Sequence, residues 1–247
     1  MHSLLPQVVK LNHQANLFHH SQRIVVAISG GADSTVLLRL LWEFNRAHQF
    51  DFELCAVHVA LASVTLPASE IETLRQYCAD YTIPFHVLEE QEYEADQFDC
   101  YQCARERRKL LFQFAIKQGY ETIAFGHDWD DFLETGLLNL IFHGTLESLR
   151  ARQTVLDSTL TVIRPILTIP KKHILAYTRL NQIPVTQKIC PYARKSQRET
   201  VRQLIRDIKA VNRAFLKNLS NAITAWHQLH PEESQKESTG FQKIELL

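Results

Sequence analysis

Three sets of residues in this chain have the types and spacing to do chemistry. The first is Ser29-Gly30-Gly31-Ala32-Asp33-Ser34-Thr35, between an apolar run and a helix-like run. Glycines at the carboxyl end of a strand permit unusual backbone angles and let an anion approach the main chain. A helix starting there adds unpaired amide N–H groups and the positive end of its dipole. With Ser29, Ser34 and Thr35 as hydroxyl donors, the stretch reads as an anion cradle for phosphate. A tight strand-to-helix turn without a ligand would use the same glycines. The spacing excludes a Walker-type loop and the three-glycine dinucleotide fingerprint.

The second set is Gly126-His127-Asp128-Trp129-Asp130-Asp131, with Glu134 one turn further on. Gly126 and His127 follow a short apolar strand, so they share the crevice with the first glycines. Asp130 and Asp131 stand in the first turn of the next helix, where the dipole favours carboxylates as caps. Magnesium prefers carboxylate oxygen and water, and a phosphate cradle with no lysine nearby calls for a cation. Asp130 and Asp131 are therefore expected to carry Mg²⁺ with ATP.

The third set is cysteine. Cys100 and Cys103 form a C-x-x-C pair between the third strand and the next helix, and Cys190 follows the last core helix. Cys55 and Cys78 fall inside a strand and a helix and read as core. Zinc, an iron–sulfur cluster and thiol redox chemistry are all open to the pair alone. Three thiolates are one short of a closed tetrahedral site, which suits a centre with an open position.

The elements that must position these residues alternate. Strands are expected at 23–28, 52–59, 83–89, 122–126 and 160–166, as mostly unbroken apolar runs. Helices are expected at 68–81, 105–119 and 171–182, with others after each glycine set and a helical stretch over 194–227. The pattern argues for an α/β fold with a doubly wound parallel sheet, and N- and C-terminal helices added to it. Ligands in such sheets bind at the carboxyl ends of the strands. The expected organisation is an N-terminal helix over 1–20, a nucleotide-binding domain with a C-x-x-C insertion over 21–189, a basic helical segment over 190–228 and a flexible tail over 229–247.

The 247 residues are 45% apolar, with 27 basic and 27 acidic side chains. A zero formal charge leaves nucleic-acid binding to local clusters. Two exist. Arg105, Arg107, Arg108 and Lys109 follow the cysteine pair, and Arg198, Arg202, Arg206, Lys209 and Arg213 recur at helical steps opposite Val201, Leu204, Ile208, Phe215 and Leu219. Either cluster is a solvated face or a platform for RNA phosphates. No apolar run is long enough to cross a bilayer, and a cytoplasmic location is expected.

The motif S-G-G-x-D-S after a first strand resembles the PP-loop of the ATP-pyrophosphatase superfamily, which splits ATP between its α and β phosphates. His127, Asp130 and Asp131 match the G-H-x-x-D-D of PP-loop tRNA-modifying enzymes, and Val162 to Ile166 is similar to their I-R-P-L segment. With the cysteines, the chain resembles the TtcA-like tRNA 2-thiocytidine synthetases, from roughly Arg23 to Leu219. That likeness implies the PP-loop, adenine nucleotide alpha hydrolase-like fold. It implies a tRNA substrate, ATP on Ser29, Gly30, Gly31, Ala32, Asp33, Ser34, Thr35, His58, Gly126, His127 and Arg164, and catalytic roles for Asp33 and Cys190. It implies a 4Fe-4S cluster on Cys100, Cys103 and Cys190, with zinc as the alternative, and a sulfur donor such as a cysteine desulfurase. A homodimer is allowed. Arg164 serves equally as a phosphate contact or a buried structural ion. A cluster-free ligase of the lysidine synthetase type and a non-catalytic nucleotide- or RNA-binding relative are the competing readings. The chain departs from the family at Ala32, where lysine is usual, at Asp128 and Trp129, usually His and Arg, at Ala193 in place of a further cysteine, and in a shorter segment after the second strand.

Overall fold

The computed structural model describes residues 3–61, 66–90, 100–156, 158–186 and 197–230. In chain order the elements are α1 (Leu5–Ala15), β1 (Arg23–Ala27), α2 (Ala32–His48), β2 (Glu53–Leu61), α3 (Ala68–Ala79), β3 (Phe85–Glu90), α4 (Cys100–Lys117), β4 (Thr122–Ala124), α5 (Trp129–His143), β5 (Arg152–Val155), β6 (Leu160–Ile163), α6 (Lys171–Leu180), α7 (Gln197–Val211) and α8 (Phe215–Leu229). One six-stranded sheet runs β3-β2-β1-β4-β6-β5. Its first five strands are parallel, and β5 pairs antiparallel with β6.

The strand order reverses between β1 and β4, and this opens a crevice at their carboxyl ends. Alternation along the strands splits the core in two. Ile24 and Val26 of β1 face a cluster with Val36, Leu40 and Phe44 of α2, Leu74 of α3 and Ile174 of α6. Val25 faces the other side, with Val57 of β2, Ile123 of β4 and Leu111, Phe112 and Ala115 of α4. Truncating a fully buried ring such as Phe112 to alanine costs about 3–5 kcal/mol. α1 adds Val8 and Leu11 to the first core, so it packs as part of that layer.

α5, α7 and α8 form a smaller cluster around Leu133, Leu137, Val201, Leu219 and Ile223. Gly136 lets α5 and α8 approach closely: a Cβ there would lie 2.4 Å from Ile223 Cδ1. No helix among the described residues is long and apolar enough to cross a membrane.

Four elements differ from the sequence expectation. β5 makes the sheet mixed; Arg-Gln-Thr-Val is short, and its first residue is exposed. α4 begins at Cys100, so the cysteine pair forms its first turn instead of preceding it. The helical stretch after residue 194 is two helices, parted at Asn212–Ala214, where Ala214 N–H bonds Asn212 Oδ1. Arg213 therefore lies outside α7. Ile205 packs in the cluster, whereas Leu204 is exposed. The segment 231–247, most of the expected tail, lies outside the described residues.

Candidate active site

The first glycine loop leaves β1 and caps α2. Gly30 has φ +83°, and a Cβ on it would lie 2.1 Å from Thr186 Oγ1 and 3.1 Å from Leu66 Cδ1. Thr186 N–H donates to Gly30 O at 2.9 Å. Gly31 is the N-cap of α2 at φ −72°, with only Ser29 Oγ, at 3.5 Å, near its Cβ position. Gly30 thus serves the turn, and Gly31 keeps a helix N-terminus open. Ser29 and Ser34 hydroxyls lie 3.2 Å apart, and Ser34 Oγ donates to Gly31 O. Thr35 is different: it is fully buried, and its hydroxyl donates to Gly31 O and Ala32 O, so it holds the loop's shape. Ala32 is buried at the head of α2.

The second loop touches the first. A Cβ on Gly126 would come within 3.0 Å of Asp33 C and Ser34 N. His127 follows, with its Nδ1 enclosed and without a hydrogen-bond partner among the described residues. Burial, then the charges of Arg164, Arg198 and Arg108, hold its pKa well below the ordinary histidine value, so the ring is neutral. Asp128 is the N-cap of α5 in a reciprocal box with Asp131: Asp131 N–H donates to Asp128 Oδ1 at 2.9 Å, and Asp128 N–H to Asp131 Oδ2 at 3.2 Å. Burial and the neighbouring Asp131 charge push Asp128 up to about 7, against the Asp131 amide and Lys171.

Asp130 Oδ2 accepts the Lys171 N–H at 2.8 Å, so this carboxylate caps α6. Asp131 is committed to the box and faces Arg198 at 3.9 Å. The two acids expected to hold magnesium are thus both engaged as helix caps. No group of three or more His, Cys, Asp or Glu side chains suited to a metal ion occurs among the described residues.

A cation does enter the crevice, and sequence spacing did not show it. Lys171 Nζ donates to Asp33 Oδ2 and lies 3.6 Å from Asp128 Oδ2. Burial alone would lower the lysine's pKa; the hydrogen bond and charge of Asp33 raise it.

A cavity of about 290 Å³ opens between the two loops and α4. Ser29, Asp33, Ser34, Gly126 and His127 line one side, and His58 on β2 lines another. His58 is buried, its Nδ1 within 2.8 Å of Ile28 O. Arg107 and Arg108 line the α4 wall, so two of the four arginines and lysines expected on an RNA surface face this cavity. Arg105 is exposed, and Lys109 is 3.8 Å from Glu106. Arg164 is buried at the end of β6, its Nη1 donating to Arg150 O at 2.7 Å, and it reaches the site through its charge on His127.

Cys100 and Cys103 lie three residues apart in the first turn of α4. Ala104, the next residue, lines the cavity. Cys190 lies outside the described residues. The chain before it bonds the glycine loop through Thr186, and the chain after it meets the second loop through Arg198. Arg202 Nε donates to the buried Glu134 at 2.8 Å, so Arg198 and Arg202 tie α7 to α5. Arg206 bonds Glu199 and Gln203, and with Lys209 and Arg213 it lines a shallow basic depression.

The PP-loop domain description matches residues 5–209 of the chain. A tRNA-cytidine(32) 2-sulfurtransferase of Geobacter metallireducens is 32% identical over 217 residues, covering 83% of this chain and 84% of that protein. One from Methylococcus capsulatus is 28% identical over 236 residues, 92% of this chain and 74% of that protein. Among solved structures, the U34-tRNA thiolase NcsA from Methanococcus maripaludis with its 4Fe-4S cluster shares the fold, with a TM-score of 0.72 and 20% identity over 92% of this chain and 78% of that one. With two loops closing one crevice at the strand-order reversal and this likeness along most of its length, the chain belongs to the PP-loop family and, within it, to the tRNA-cytidine(32) 2-sulfurtransferases.

Proposed function

We propose that the chain uses ATP to replace the 2-oxygen of a tRNA cytidine with sulfur, releasing AMP and pyrophosphate. One observation carries this reading: the glycine loop, the His127 loop and the cysteine-bearing end of α4 meet on a single cavity. The base oxygen attacks the α-phosphorus, the bond to the β-phosphate breaks, and pyrophosphate leaves. Sulfur then adds at the activated carbon, and the oxygen departs in AMP.

The chain's own groups account for the first half. The N-terminal amides of α2 and the Ser29 and Ser34 hydroxyls face the phosphates, a preorganised array that needs no rearrangement as charge develops. Gly126 lets the second loop pack on the first, and Gly31 leaves the N-terminus of α2 open to the ligand. Neutral His127 lies beside them and offers a hydrogen bond without adding charge. Arg108 and Arg107 supply positive charge from the opposite wall. Asp33 and Cys190 keep the catalytic assignments that the family motif gives them.

A 4Fe-4S cluster fits the donor set. Cys100 and Cys103, three residues apart in the first turn of α4, offer soft thiolates, and Cys190 would complete three ligands. When bound, the cluster would supply an open coordination position for sulfide; a separate donor of the cysteine-desulfurase type would deliver the sulfur as a persulfide, from which an external thiol reductant supplies the two electrons that release sulfide. Asp130 and Asp131 each spend one carboxylate oxygen on a helix cap, and the other oxygens would serve a magnesium ion that arrives with ATP. Arg206, Lys209 and Arg213 would contact tRNA phosphates.

The test is anaerobic reconstitution with iron and sulfide, followed by ATP and unmodified tRNA. Nucleoside digestion should yield 2-thiocytidine, with AMP as coproduct. ADP in place of AMP, or thiolation undiminished in Cys190→Ala, would overturn the reading.

A further inference from the structure

We propose that Lys171 supplies the positive charge that holds the nucleotide's phosphates over the glycine loop. Asp33 and Asp128 hold its ammonium beside that loop. The inference rests on the ATP-dependent reading above and names a residue that neither loop motif contains.

The need is electrostatic. From Ser29 to Thr35 the loop offers amides and hydroxyls but no cationic side chain, and it carries a carboxylate at Asp33. Asp128, Asp130 and Asp131 add three more acids at the head of α5. A polyphosphate approaching this edge meets like charge. Helix N-termini offset only part of that repulsion, because a helix dipole acts weakly at an exposed site.

Lys171 answers that need by position. Its ammonium bonds Asp33, which lines the cavity, so it stands one carboxylate away from the ligand space. The side chain retains 39% of its exposure and can reach a phosphate without full desolvation. Its backbone is fixed independently. Asp130 accepts the Lys171 N–H, and Trp129 N–H donates to Ile169 O at 3.1 Å, which together join the start of α6 to α5. A rigid anchor under a long flexible cation is the arrangement a phosphate clamp uses. A lysine serving only as a structural ion would pair Asp33 and Asp128 in the same way, so the experiment must separate the two.

Dissociation constants for ATP and for inorganic tripolyphosphate are measured by calorimetry on the full chain, as wild type, Lys171→Met and the double variant Ala32→Lys/Lys171→Met. The expected result is a rise of about ten- to hundredfold for both ligands in Lys171→Met, the loss of a charge-assisted hydrogen bond. Most of that loss should be recovered in the double variant, where the charge is returned from the loop. Independently, acetylation of Lys171 in the wild-type chain, mapped by mass spectrometry, should be suppressed by tripolyphosphate. That measurement stands even if the variants fold poorly. Unchanged affinity in a folded Lys171→Met chain, or acetylation indifferent to tripolyphosphate, would overturn the proposal while leaving the thiolation reading intact. A wild-type chain that binds neither ligand would overturn both.

Discussion

Replacing the two adjacent glycines of the phosphate loop one at a time should give losses of very different size. At Gly30 the backbone has φ +83°, and the new methyl group would lie 2.1 Å from Thr186 Oγ1 and 3.1 Å from Leu66 Cδ1. An L-residue in the left-handed region costs about 1–2 kcal/mol. Forcing a methyl group into a packed contact adds about 1–3 kcal/mol. A combined loss of about 3 kcal/mol lowers the melting temperature of a domain this size by about 6–12 °C. At Gly31, φ is −72° and Ser29 Oγ is 3.5 Å away, so alanine fits. Alanine is a poorer N-cap than glycine, by about 0.5–1 kcal/mol, so melting moves by no more than about 4 °C. The assay is thermal unfolding of Gly30→Ala and Gly31→Ala beside the wild type, with ATP binding measured on each. Gly30→Ala melting with the wild type would refute the assignment of that glycine to the turn and to its Thr186 contact.

Three further outcomes follow from the same geometry. Cys55 and Cys78 are buried, and desolvation raises both thiols, Cys78 to about 12. Both should resist iodoacetamide in the native chain at neutral pH, and Cys55→Ala should keep the iron content of wild type; loss of iron would return Cys55 to the ligand set. Two buried groups should tilt stability with pH in opposite directions. Asp128 has a raised pKa, so its contribution is complete below the unfolded value near 3.8 and lost as pH rises through about 7, while His127, held below 6.5, contributes above that value and loses it as pH falls. Denaturant titrations across pH 4–8 should show the first slope abolished in Asp128→Asn and the second in His127→Phe. Arg202→Met should destabilise by about 1–2 kcal/mol, since it leaves buried Glu134 unpaired, whereas Arg206→Met should leave melting unchanged and lower the salt dependence of tRNA binding. Equal effects of the two on the salt slope would contradict the division of labour along α7.

The sheet was legible because its strands are buried on both faces and read as apolar runs: Arg23 to Ala27 and Glu53 to Leu61 need no partner to be recognised. β5 was not, because an edge strand of four residues with alternating exposure has no apolar signature. The start of α4 was hidden for a related reason, since Cys-Tyr-Gln-Cys shows no helical hydrophobic period. The break between α7 and α8 contains neither glycine nor proline. Both glycine loops were found from local pattern alone. Lys171 was not, because its meaning depends on a partner 138 residues away. Arg107 and Arg108 looked like a surface run for the same reason: only the packing of α4 against β2 turns them toward the cavity. Asp130 shows the converse. Its type and place suit a metal, and the start of α6 claims it as a cap.

The crevice closes through contacts between distant parts of the chain. Thr186 bonds Gly30, and Lys171 bonds Asp33. During synthesis the phosphate loop waits for its partners, since Lys171 follows Asp33 by 138 residues. Loop-closure entropy of that length makes such joins late events in folding. A nascent chain halted after β4 would carry the whole glycine motif and still lack the lysine and the threonine that complete it, so the capacity to engage nucleotide arrives only after α6 has been made.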